Sequence, residues 1–191
     1  ARVAEVAGLE CDDVVLDADV PHFIIRPNGR RRLKNKQSRR VVAIHPVLLD
    51  AGIRKFAEER LASGEPSFFP MIEQLHYRDR ATGELRAKSL SQALILRQFN
   101  RTFLAHAKAD ENGGSLKCFR HTFERESTNE IADVELRLRI TGRQVGSSVK
   151  SYTSSMPADP YERAGLLRNM RSAMEKIVYR GADFTHLTAG V

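Results

Sequence analysis

The segment GGSLKCFRHTF, residues 113–123, sets Lys117, Arg120 and His121 among Leu116, Cys118, Phe119 and Phe123. Charged side chains are rarely buried without a partner, and the segment holds no carboxylate before Glu124 follows it. On a helix, Lys117 and Arg120 share one face at i and i+3. Other candidates stand far away: Arg2 in ARVAE, Lys34 in LKNKQ, Arg143 in the TGR turn, and Tyr152 in KSYTSS beyond it. Guanidinium groups carry forked donors that match phosphate oxygens, so a set of this kind suits a phosphate or another polyanion. Taken singly, each is the sort of residue that decorates a solvated basic surface. Composition and periodicity do not by themselves bring the set together.

The charge distribution points the same way. The 191 residues carry a formal net charge of +7, with 41% hydrophobic and 29% charged residues. That is the composition of a folded domain with its own core, and a basic balance favours polyanionic partners. Between Val20 and Leu49 there is no Asp or Glu, and RPNGRRRLKNKQSRR (26–40) holds eight Lys or Arg in fifteen positions. No apolar run is long enough to span a bilayer, and the acidic residues Glu5, Glu10, Asp12 and Asp13 do not read as a secretory signal. Cys11 and Cys118 match no metal-ligand or redox spacing and read as unpaired thiols of a reducing cytoplasm. His22, His45, His76, His106 and His186 read as surface or loop residues.

The elements that must position these residues can be read from pattern. VAEVAGL predicts a short helix ending near Gly8. HFIIRPNGRRRLKN predicts strand, turn, strand around Asn28-Gly29, and SRRVVAIH a further strand. Pro46 opens a predicted helix, VLLDAGIRKFAEERLA, with Val47, Leu48, Ile53, Phe56, Ala57 and Leu61 inward. RDRATGELRAK reads as a polar loop, and Ser89 as the cap of a helix running to about Ala107. Gly113-Gly114 and Ser115 predict a new helix start, and the flanking Phe119 and Phe123 a helix docked on a core. STNE (127–130) has the capping-box pattern before IADVELRLRI. LLRNMRSAMEKIV predicts an amphipathic helix, apolar at 166, 167, 170, 173, 174, 177 and 178. The expected architecture is mainly α with a small antiparallel sheet (α+β), in one domain over 1–191 without repeats or linkers.

Five stretches, in order, resemble the catalytic domain of the tyrosine recombinases of the phage-integrase family. ARVAEVAGLECDDVVLD is similar to the family's opening Gly-x-Arg-x-x-Glu and the Leu-rich stretch after it. LKNKQSRRVVAIHP resembles its Thr-Lys-Thr-Lys-x-Ser-x-Arg hairpin, with Lys34 at the catalytic lysine. KCFRHTF resembles the His-x-x-Arg-His-Thr-Phe box, with Lys117 where histidine is usual. ITGR resembles the Leu-Thr-Gly-His turn, with Arg143 in place of His or Trp. Tyr152 falls at the nucleophile's distance after that turn, and the tail AMEKIVYRGADFTHL is similar to the end of many phage integrases.

The resemblance implies a chemistry that suits these residue types. Arg2 and Arg120 would neutralise charge developing on the non-bridging phosphate oxygens, with Lys117 and Arg143 completing the set. Lys34 would protonate the leaving 5′-oxygen. Tyr152, a weak nucleophile at its ordinary pKa of about 10, would be activated by the positive field and form a 3′-phosphotyrosyl link. His121 would be a hydrogen-bonded structural histidine. The implied function is site-specific DNA integration and excision for a prophage or mobile element, in a bacterial cytoplasm at the nucleoid, with no metal, ATP or other cofactor. The implied partners are double-stranded DNA, further copies in a tetramer, and accessory DNA-bending proteins, with no membrane. Arg30, Arg31, Arg32, Lys36, Arg39 and Arg40 are expected to contact phosphates. The family's separate upstream helical domain is not in this sequence, which reads as a fragment of such an enzyme. Two other readings fit the same residues: a type IB topoisomerase-like enzyme, and a DNA-binding relic that no longer cleaves.

Overall fold

A computed structural model describes residues 1–31, 33, 38–72, 76–87, 99, 116–143, 156–179 and 185. It is a mixed α+β arrangement in which short helices and two small antiparallel sheets alternate along the chain. Helix α1 (Val3–Ala7) ends at Gly8, as the apolar spacing predicts. A single 3-10 turn (Cys11–Asp13) leads into β1 (Val14–Val15), which pairs antiparallel with β2 (His22–Ile25). Strand β2 pairs on its other side with β3 (Arg40–Ala43), setting Ile25 opposite Arg40 and His22 opposite Ala43. β-Branched residues make up half of the central strand β2 and half of β3 beside it, where such side chains pack well on a pleated surface.

The sheet is covered on both faces, and the pleat sorts its side chains accordingly. Ile24, Val41 and Ala43 face a core built with Ile131, Ile140, Leu167, Met170, Met174 and Ile177. Phe23 and Ile25 face a second core with Leu9, Cys11, Ala57 and Phe68, and Val42 packs against both cores. In that second core Phe68 meets Phe56 and Phe69 edge-on, at ring-centroid distances of 5.1 and 4.9 Å.

Asn28-Gly29 forms the expected turn. The Asn28 and Arg31 backbones exchange N–H···O bonds, and the Asn28 side chain accepts from the amides of Arg30 and Arg31. Of the predicted return strand, Arg30, Arg31 and Leu33 are described and belong to no strand, the rest lies outside the described residues, and the strand that pairs with β2 is β3.

The structure corrects several local expectations. The helix after Pro46 is broken into α2 (Pro46–Asp50) and α3 (Ile53–Ala62) at Gly52, whose φ of +86° lies in the left-handed region that glycine alone enters freely. Leu48 and Leu61 are exposed, so only Ala57, Ile53 and Phe56 of the predicted apolar side pack inward. The stretch read as a polar loop is a β-hairpin, β4 (His76–Arg78) with β5 (Leu85–Ala87), turned at Gly83 with φ +71°. His22 is buried and its Nδ1 lies 2.8 Å from the Val20 carbonyl oxygen. The helix predicted from Ser89 lies outside the described residues apart from Phe99.

Helix α4 (Leu116–Glu130) is longer than the pattern implied and absorbs STNE. Ser127 is not a cap: its buried hydroxyl donates back to the Glu124 carbonyl within the same helix. The cap belongs to Asp133, whose carboxylate accepts from the Leu136 amide at 3.0 Å and starts α5 (Val134–Thr141). Asp133→Ala is expected to cost about 1 kcal/mol, read as a lower midpoint in urea, with Asp133→Asn close to the unaltered chain. Phe123 packs on the first core, whereas Phe119 is exposed. Helix α6 (Pro160–Glu175) is capped by Asp159 and buries Leu167, Met170, Ala173 and Met174 in the predicted pattern, although Val178 beyond it is exposed. No helix among the described residues is long and apolar enough to cross a membrane.

Candidate active site

Arg2 sits immediately before α1, where the backbone is extended, and its side chain doubles back on the first turn. Its Nη1 donates to Glu5 Oε1 at 2.8 Å, and its amide donates to Glu5 Oε2 at 2.6 Å. The other arm, Nη2, donates to the Gly142 carbonyl oxygen at 2.9 Å, a residue 140 positions away. A further bond from Nη1 reaches Ser38 Oγ at 3.3 Å. Three distant segments therefore meet at one side chain.

Glu5 holds Arg2 and Arg40 together. Arg40, at the start of β3, donates Nη2 to Glu5 Oε2 at 2.8 Å and Nη1 to Glu5 Oε1 at 3.2 Å, with a further bond to the Ser38 carbonyl oxygen at 3.0 Å. Burial alone would push the Glu5 carboxyl up. The hydrogen bond and charge of Arg40, with the bonds from Arg2, outweigh it and bring the pKa down to about 2. Both partners are therefore ionised in the interior, as an Arg–carboxylate pair must be to repay its desolvation.

Arg120 projects from the second turn of α4 and pairs through Nε with Glu124 Oε1 at 3.0 Å, one turn along the same helix. Arg143, just past the left-handed Gly142 that ends α5, reaches the same carboxylate with Nε at 2.9 Å and with Nη2. Burial holds the Arg120 pKa below its ordinary value. The charges of Arg2 and Arg143 act in the same direction, and those of Glu124 and Glu5 oppose it. Arg120 Nη1 is buried and has no hydrogen-bond partner. His121 is largely exposed and lies 4.0 Å from Glu124 through Nδ1.

Of the expected catalytic residues, Arg120 and Arg143 share the Glu124 carboxylate, and Arg2 reaches the carbonyl of Gly142, the residue before Arg143, while Glu5 ties Arg2 to Arg40. Lys117 lies in the first turn of α4, one turn before Arg120, with its side chain outside the described part. Lys34 and Tyr152 also lie outside the described residues, as do Arg32 and Lys36. Glu5 and Glu124 are the site residues that cation-led reading missed. Their signal was their spacing, three residues after Arg2 and four after Arg120.

The expected phosphate contacts divide. Arg39 is exposed at the edge of the sheet. Arg30 is half-buried and donates Nη2 to the Ile72 carbonyl oxygen at 2.7 Å. Arg31 and Arg40 are corrections: they are 3% and 0% exposed, and neither guanidinium reaches the surface. Arg31 donates to the Glu5 and Arg26 carbonyl oxygens and pairs with the buried Asp13 at 3.1 Å. Arg26 and Asn28 converge on that same carboxylate, at 2.6 and 3.2 Å. Part of the basic run is thus turned inward, because two buried carboxylates from the acidic first segment wait there for partners. Among the described residues, no group of three His, Cys, Asp or Glu side chains could hold a metal ion.

Set against known protein families, curated proteins and solved structures, the chain matches none of them. What the cluster can do follows from its parts. Three guanidiniums fixed from three segments offer more donors than their two carboxylates accept. Such an arrangement can take an anion whose oxygens point in several directions, as those of a phosphate do.

Proposed function

We propose that this chain is a DNA-cleaving and rejoining domain of the tyrosine-recombinase type, acting on a phosphodiester of duplex DNA within an assembly of four copies. The observation that carries the reading is the convergence of Arg2, Arg120 and Arg143, drawn from three separate stretches of sequence onto one network. Arg120 also keeps a buried Nη1 with no hydrogen-bond partner, as Arg30 Nη1 and Arg40 Nε do elsewhere in the fold, and beside Arg143 a bound anion would satisfy it.

In this reading Arg2 and Arg120 hold the two non-bridging oxygens, and Arg143 adds a third cation as charge builds on them. The Tyr152 hydroxyl oxygen attacks phosphorus while the bond to the 5′-oxygen breaks. The tyrosine proton leaves to a base or solvent, and the departing 5′-oxygen takes a proton from Lys34. The phosphotyrosyl bond conserves the energy of the phosphodiester. A 5′-hydroxyl of another strand can therefore reverse the step, displacing Tyr152 without ATP. The exposed cations Arg39 and Arg143 provide sequence-independent phosphate contact, as would Arg32 and Lys36 in the basic run. Cytoplasmic DNA of a phage or mobile element in a bacterial host, with accessory bending proteins, is the setting this chemistry fits.

A nicked duplex that loses its 5′-fragment on cleavage provides the test. The unaltered chain is expected to form a covalent protein–DNA adduct that survives denaturing electrophoresis. Tyr152→Phe is expected to form none while keeping its DNA affinity. Strong DNA binding without an adduct on any nicked substrate would sink the proposal.

A further inference from the structure

We infer that Glu124 is an internal stand-in for the phosphate: its carboxylate occupies the anion seat between Arg120 and Arg143 and turns away when a phosphate enters. This rests on the reading of those arginines as a phosphate clamp. It assigns Glu124 a role that a purely supporting carboxylate does not have.

The two acidic residues of the network differ in kind. Glu5 is buried against a fully buried Arg40, with Arg2 on its remaining side, and nothing can replace it without opening the interior. Glu124 is held by one partner that is mostly buried, Arg120, and one that faces solvent, Arg143. The Arg143 side chain is 54% exposed, and that of Glu124 is itself 16% exposed. Ion pairs with one exposed member are weak and exchange readily with other anions.

The geometry matches a substitution of like for like. Oε1 of Glu124 accepts from both Arg120 Nε and Arg143 Nε, and Oε2 accepts from Arg143 Nη2. This is the forked recognition that guanidiniums give equally to carboxylates and phosphates. A carboxylate has only two oxygens, and Arg120 Nη1 remains buried and unpartnered beside it. A phosphate brings more acceptors and can reach the donor that Glu124 leaves unused. Burial pushes the Glu124 carboxyl up, yet the bond from Arg143 and the charges of Arg120, Arg143 and His121 hold it below the usual range. It is therefore ionised at neutral pH and competes as an anion. The consequence is a site kept ordered but closed until a phosphate displaces the placeholder.

Inorganic phosphate is the probe, titrated into the full chain and followed by the arginine Nε–H resonances. Glu124→Gln is expected to bind it about tenfold more tightly. Glu130→Gln, which removes the same charge from the exposed end of α4, is expected to change affinity by less than about twofold. In the unaltered chain the Glu124 side-chain carboxyl carbon should shift at the same phosphate concentration as Arg120 and Arg143 Nε–H. That measurement needs no variant and holds even if Glu124→Gln folds poorly. Unchanged or weaker binding by Glu124→Gln, with binding abolished in Arg120→Ala, overturns the stand-in and leaves the clamp in place. Binding that survives both Arg120→Ala and Arg143→Ala overturns the clamp, and the stand-in with it.

Discussion

Gly142→Ala is expected to be among the most damaging single substitutions in the described structure, although it adds one methyl group. A Cβ at this position would lie 2.6 Å from both Cζ and Nη1 of Arg40, and the backbone φ of +66° is one that side chains rarely adopt. Arg40 has nowhere to go, because it is fully buried and fixed by Glu5 and the Ser38 carbonyl. The methyl group must therefore push the guanidinium off Glu5 or lift the turn off the sheet. Breaking a buried ion pair on one side, together with a strained backbone, costs about 4 kcal/mol or more. In a chain of this size that lowers the melting temperature by about 8–16 °C. Gly29→Ala, at a glycine with nothing within 4 Å of the added carbon, is the matched control and should melt near the unaltered chain. The effect also reaches the site, because the Gly142 carbonyl is the acceptor for Arg2 and Arg143 is the next residue. Even where Gly142→Ala folds at low temperature, the proposed function requires its affinity for duplex DNA to fall. A melting temperature equal to that of the Gly29 control would show that Arg40 does not press on this turn.

The same contact shows what the sequence could and could not reveal. Pattern finds elements whose burial is periodic. The α6 stripe, α1 ending at Gly8, the β-branched strands and the Asn28-Gly29 turn were all legible from neighbours a few residues apart. Pattern fails where a residue's partner lies far along the chain. Arg31 and Arg40 look like surface cations because their local sequence is basic, and they are buried because Asp13 and Glu5 reach them from across the fold. The acidic first segment and the basic run are complementary halves of one interior, a fact invisible when each is read as a charged face. The cap fails for the same reason. STNE reads locally as an N-terminus, but α4 runs through it and α5 is capped by Asp133, with Ile131 between them buried in the core. Gly8 tells the same story at close range, for an added Cβ there would meet the Arg31 side chain at 2.7 Å. Arg2, Arg120 and Arg143 were legible as types and in order. Their joining through Glu5 and Glu124 needed the tertiary structure.

Acid is expected to dismantle this interior from Glu5 outward. With a folded pKa of about 2 against an ordinary value of 4.5, the native state holds fewer protons than the unfolded chain throughout that interval. The sign follows directly: the stabilisation is fully present above about pH 4.5 and is lost as pH falls towards 2. Its size is about 3 kcal/mol, from the shift and the free energy per pKa unit. Urea denaturation across this range should show the midpoint falling steeply below pH 4.5. Glu5→Gln isolates the cause. It leaves Arg40 charged and buried without its counter-ion, so it is expected to cost about 3–5 kcal/mol near neutral pH. It also removes the titrating group, so stability should decline less steeply between pH 4.5 and 2. Glu58→Gln, on the exposed side of α3, should keep both the stability and the steep acid limb. If Glu5→Gln falls as steeply as the unaltered chain, the acid limb belongs to another carboxylate. A flattened profile would mean that the carboxylate holding Arg2 is also the one securing Arg40 at the start of β3. The placement of Arg2 and the stability of the fold would then depend on one proton.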